Sequence, residues 1–135
     1  MFKPKPNPAM NQTLDEIARQ LMGVRWIVWS NSSGVARAIF PADLEPDRHG
    51  AMSAALSSLG ERVSKELHGG ALRYSLIAGE NETHLLAVLD EDNLLLLGLH
   101  PQTSIDALLN TVRNTVKTYA LQFGLNPDSP WLTGA

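Results

Sequence analysis

The chain contains no cysteine. Disulfide bonds, thiol nucleophiles and thiolate metal sites are therefore excluded together, and a reducing compartment fits. Basic clusters are scarce as well. Eleven Lys and Arg stand against fourteen Asp and Glu, a net charge of -3, and beyond Lys3 and Lys5 the cations are scattered. Nucleic acids and anionic membranes are held by basic fields, so neither is an expected partner. Long apolar runs are missing too. LLLLGL at 94–99 falls far short of the roughly 20 residues that span a bilayer, so no membrane insertion is expected. The start, MFKPKPNPAM, lacks the apolar stretch of an export signal. A cytoplasmic location is the expectation, and Asn11-Gln12-Thr13, Asn31-Ser32-Ser33 and Asn81-Glu82-Thr83 are then chance matches to the glycosylation pattern.

What remains is the composition of a globular domain: 135 residues, 44% hydrophobic and 19% charged. A chain of this size buries roughly two thirds of its surface on folding, enough for its own core.

Catalytic constellations are not evident. In WSNSSG at 29–34, Ser32 lies between Ser30 and Gly34, and Ser33 between Asn31 and Val35. A nucleophile elbow needs glycine two residues to either side of the serine, and a phosphate loop needs Gly-Lys-Ser/Thr. The stretch reads as a turn, with Asn31 and Gly34 tolerating left-handed backbone. His49, His68, His84 and His100 fall at a helix start, a helix end, a strand and a strand end, without metal-binding spacing. DEDN at 90–93 runs straight into LLLL, whereas a calcium loop continues with further oxygen ligands. Catalytic residues, metal ligands and cofactors are accordingly none, and an enzyme is not expected.

Periodicity sets out the elements. Residues 1–12, with Pro4, Pro6 and Pro8, read as a disordered tail. Thr13 and Glu16 form a capping-box pattern ahead of Leu14, Ile17, Ala18 and Leu21, which predicts a helix over 14–22. VRWIVWS (24–30) is apolar on both faces and therefore a covered, central strand, and VARAIF (35–40) resumes after the turn. A long helix runs to about Leu67, with Met52, Leu56, Leu59, Val63 and Leu67 as one apolar stripe. ALRYSLIA (71–78), THLLAVL (83–89) and LLLLGL (94–99) form a meander with tight polar turns. A last helix buries Ile105, Leu108, Val112, Val116 and Phe123 and stops at Gly124. Residues 13–124 make the domain, and 125–135 read as a loose tail in which Trp131 has the means to dock. The order implies a mainly antiparallel sheet with helices on both faces, an α+β fold of profilin-like type.

The opening helix, VRWIVWSNSSG, the Ala- and Ser-rich helix AMSAALSSLGERVSKEL, and LLAVLDEDNLLLLGL before a terminal helix together resemble the Roadblock/dynein light chain domain over about 13–123. The resemblance implies a five-stranded sheet in the order 2-1-5-4-3, with the long helix on one face and the terminal helices on the other. It implies dimers built from the long helices and the edge strands that follow them. It also implies non-enzymatic partnership with a small Ras-like GTPase, as in bacterial polarity and motility systems.

On the long helix, Ser53, Ser57, Gly60 and Ser64 recur on one side, a row that lets another backbone approach closely. Gly60 costs about 1 kcal/mol relative to alanine, so something should compensate. This row, with Tyr74 and Leu76 of the edge strand, is the expected interface with a second copy or a related chain; Arg62 and Lys65 are the expected contacts to the GTPase. Two alternatives stay open: a small-molecule sensor of profilin, PAS or GAF shape, and a light-chain-like subunit of a larger complex.

Overall fold

The computed structural model describes residues 5–126 and 128–133. Helix α1 (Pro8–Arg19) leads into strands β1 (Val24–Ser30) and β2 (Ala36–Phe40). Helix α2 (Pro46–Glu66) crosses to β3 (Tyr74–Ala78), β4 (Thr83–Asp90) and β5 (Asn93–Leu99). Helix α3 (Ile105–Thr118) and the short helices α4 (Ala120–Phe123) and α5 (Pro130–Thr133) complete the chain. The sheet is antiparallel throughout, in the order β2-β1-β5-β4-β3. This is the expected α+β architecture and strand order.

The first helix begins earlier than its sequence pattern predicts. Asn7, not Thr13, is the N-cap: its side chain accepts from Ala9 N, and Pro8 occupies the first turn. Proline is favoured there because its missing N–H would have no partner in any case. Residues 8–12, expected as extended tail, are thus helical. Thr13 lies inside the helix, donating to Ala9 O and to Gln122 Oε1. The expectation of a tail at 1–4, and of a loose tail at 127 and 134–135, lies outside the described residues.

The two sheet faces carry unequal cores. Ile27 and Trp29 of β1, with Leu85, Ala87, Leu89, Leu95, Leu97 and Leu99, face α1 and α3 in one large cluster. Trp29 meets Phe123 edge-on at 4.3 Å, and its indole N–H donates to Asn93. Trp131 joins the same cluster. Its ring lies 5.2 Å from the Arg113 guanidinium and 6.5 Å from Tyr74, while Arg113 donates to its carbonyl. Ser129 donates to Leu89 O and Asn126 N to Asp90, so the C-terminal segment covers the part of β4 that β3 leaves bare. Trp131→Ala should cost about 3–5 kcal/mol, the range for emptying a large aromatic site; chemical denaturation followed by circular dichroism checks it.

Candidate interaction surface

The turn after β1 is only a turn. Asn31 Oδ1 accepts from Ser33 N and Val35 N, both at 3.0 Å, and Gly34 alone adopts positive φ, +88°. Asn31 therefore acts through its side chain and not through left-handed backbone. Gly34 also meets α2. A Cβ on Gly50 would collide with the Gly34 carbonyl, so helix and turn approach as closely as bare backbone allows.

That contact sets the rotation of α2, and it overturns the expected use of its two sides. Gly50 and Ser53 are buried against the chain's own sheet. Ser53 donates to His49 O at 3.0 Å. Ser57 and Gly60 follow, half-buried, and a Cβ on Gly60 would stand 2.7 Å from Leu72 Cδ2 and 2.9 Å from Ser75 Oγ. Ser64 donates to Gly70 O at 2.7 Å. Of the small-residue row expected to meet another chain, Ser53 and Gly60 instead seat the helix on its own subunit, and Ser64 ties it to the loop that follows. The reason is volume. Val28, Leu86, Leu94 and Leu96 already fill this face of the sheet, so the helix above them must present small groups.

The supposed core stripe consequently turns outward. Met52, Leu59, Val63 and Leu67 are exposed, Leu59 to 61%. Leu56 alone of that stripe packs against the cluster of Leu86, Leu94 and Leu96. The helix has 21 residues, or roughly 31 Å of rise, against about 19 Å between the outer strands of a five-stranded sheet. Gly60 already stands against Ser75 of the outer strand, and residues 61–66 of the helix follow it.

Beneath this flank lies an open groove of about 420 Å³, floored by Trp26, His84, Leu96 and Ile77. Trp26 lies flat across Gly98, its cross-strand neighbour, where any Cβ would strike the indole. His49 stands edge-on to Trp26 at 4.6 Å, and His84 lies 5.7 Å from it. Two histidines remote in sequence thus meet one tryptophan. Glu82 ties the group together, accepting from Trp26 Nε1 at 2.8 Å and Arg25 at 3.3 Å and pairing with His84 Nε2 at 2.9 Å. Partial burial pushes its carboxyl up, but the bonds from Trp26, His84 and Arg25 outweigh this and hold it below its ordinary value.

The two edges of the sheet differ. β3 has β4 on one side only. Val88 N donates to Arg73 O, and antiparallel alternation then turns the N–H and C=O of Tyr74 and Leu76 away from β4. Tyr74, Leu76 and Ile77 are all exposed, Ile77 to 50%. Of the expected interface residues, Tyr74 and Leu76 lie at this open edge, while Ser53 is fully buried and Ser57, Gly60 and Ser64 are half-buried. Arg62 and Lys65 sit on the exposed side of α2, in i,i+4 pairs with Glu66 and Glu61. The exposure of Met52, Leu59 and Val63 was not foreseen because a four-three apolar repeat fits an inward and an outward helix face equally well. Among the described residues no helix is long and apolar enough to cross a membrane.

No protein-family model matches the chain, and no curated protein matches its sequence. Its fold is that of Roadblock/LC7 domains. A Roadblock/LC7 domain from Streptomyces avermitilis aligns at TM-score 0.74 and 14% identity, over 84% of this chain and 97% of that one. Myxococcus xanthus MglB aligns at TM-score 0.74 and 8% identity, over 89% and 98%. The gliding protein MglB of Thermus thermophilus aligns at TM-score 0.68 and 16% identity, over 88% and 93%.

Two outcomes follow from the site. Ser53→Leu should destabilise the fold by about 1–3 kcal/mol through overpacking, while Met52→Lys should stay within about 0.5 kcal/mol for the isolated chain; urea titrations compare them. Glu82, with its carboxyl lowered on folding, contributes stability that is present above the unfolded value and lost as pH falls through the folded one. The stability gap between wild type and Glu82→Gln should therefore narrow on acidification below about pH 4, read by thermal melts across pH.

Proposed function

We propose that this chain is a non-enzymatic interaction module, a cytoplasmic homodimer that regulates or scaffolds a small Ras-like GTPase. The observation that carries the dimer is continuity: the open β3 edge adjoins the apolar flank of α2 and the groove beneath it. An unprotected edge and an uncovered apolar face are each liabilities in a monomer. One two-fold axis covers both. β3 pairs with its copy to give a ten-stranded sheet, and full overlap of the five-residue strand sets Leu76 beside the partner's Leu76. Each α2 then lays its exposed Leu59, Val63 and Leu67 over the groove of the other copy.

The GTPase assignment rests on the Roadblock resemblance and on the MglB-like fold. The paired α2 helices form a platform, and Arg62 and Lys65 lie on its solvent side. Their exposed ion pairs hold them weakly, so a partner's carboxylates can recruit them. Such a module acts by binding one nucleotide-dependent conformation of the GTPase better than the other; any faster hydrolysis comes from positioning the GTPase's own groups.

Wild type should sediment as a dimer and Leu59→Arg as a folded monomer. A dimeric Leu59→Arg variant would contradict the interface. Binding to a small Ras-like GTPase encoded in the same cell should differ between its GTP- and GDP-loaded forms by at least about fivefold and weaken in Arg62→Glu; equal affinity for both forms would contradict regulation.

A further inference from the structure

The second sheet edge is not open. α1 runs alongside β2, and its first turns reach over the strand's free side. Asn7 N donates to Arg37 O at 2.9 Å. Ile39 N donates to Asn11 Oδ1 at 2.8 Å. These bonds show that the backbone groups of Arg37 and Ile39 point away from β1, so that in the alternating antiparallel ladder Ala38 and Phe40 are the positions that bond to it, opposite Trp29 and Ile27. A capped turn and an amide side chain thus stand where a sixth strand would dock.

The clamp is anchored. Asn7 is fixed as the cap of α1 by Ala9 N, and Leu14 and Ile17 of the same helix are fully buried. Arg37, whose carbonyl Asn7 engages, is itself held by Asp92 at 2.9 Å. Among the described residues one edge of the sheet is therefore bare and the other is sealed by α1 and the cap before it.

We infer that Asn7 and Asn11 form an edge guard that stops assembly at two copies. The inference takes the dimer above as its setting but rests on separate atoms. When β3 pairs with its copy, the two outer strands of the joined sheet are both β2. Sealing this one strand closes the assembly at both ends. Loosening it exposes two identical edges per dimer, and β2-to-β2 pairing of dimers then proceeds without closure. The occupant of the freed edge is the β2 of a second dimer.

Asn11→Leu removes the acceptor, whereas Asn11→Asp keeps an oxygen at the same place. In Asn11→Leu the Ile39 amide should exchange with solvent about tenfold faster than in wild type, the worth of one hydrogen bond, with the Val28 amide as the unchanged control. Light scattering at rising concentration should show wild type and Asn11→Asp at constant mass and Asn11→Leu climbing in even multiples of the chain mass. Should wild type prove monomeric while Asn11→Leu dimerises, the β3 dimer fails and the guard stands. An Ile39 amide that exchanges freely in wild type, or a folded Asn11→Leu whose Ile39 amide is released and whose mass never rises, overturns it.

Discussion

The contact of α2 with its own sheet governs the rest of the molecule. Gly50 lies on the Gly34 carbonyl, Ser53 is fully buried and Gly60 stands over Leu72 and Ser75. A helix seated through small groups lies close to the strands, where dispersion is strongest. It cannot also bury its large residues there. Met52, Leu59 and Val63 are rotated outward as a direct consequence, so the close seat that stabilises the subunit also generates an exposed apolar surface.

The edges express the same division of labour. α1 reaches β2 through Asn7 and Asn11, and the C-terminal segment reaches β4 through Ser129 and Asn126. Among the described residues only β3 of the two outer strands is left uncovered, and it follows the exposed end of α2 in the chain. Edge and apolar stripe are neighbours because the crossover helix delivers the chain to that strand. Topology, and not any single residue, places the two unfinished surfaces side by side.

Much of the fold was legible in the sequence. VRWIVWS is apolar on both faces, and β1 is flanked by β2 and β5 and covered on both sides. The meander turns, the end of α2 to within a residue and the stop at Gly124 all follow from local chemistry. The start of α1 did not, because Pro4, Pro6 and Pro8 suggest an extended chain unless Asn7 is recognised as a cap for Pro8. The faces of α2 were inverted for a deeper reason. Helical periodicity reports that one side is apolar and the next is small; which side meets the sheet depends on the volume already supplied by Val28, Leu86, Leu94 and Leu96 from three other strands. The same limit hid the meeting of His49, His84 and Trp26, which are brought together only by the crossover.

The absence of cysteine makes a direct geometric measurement possible, since a single introduced thiol reports one position only. A disulfide requires Cα atoms roughly 4.4–6.8 Å apart, a spacing that β3 paired with its own copy supplies at residue 76. Under mild oxidation Leu76→Cys should form a covalent dimer and Ser57→Cys should remain single-chained. Cross-linking through position 57 with none through position 76 would mean that the helix meets its partner on the side assigned here to its own sheet.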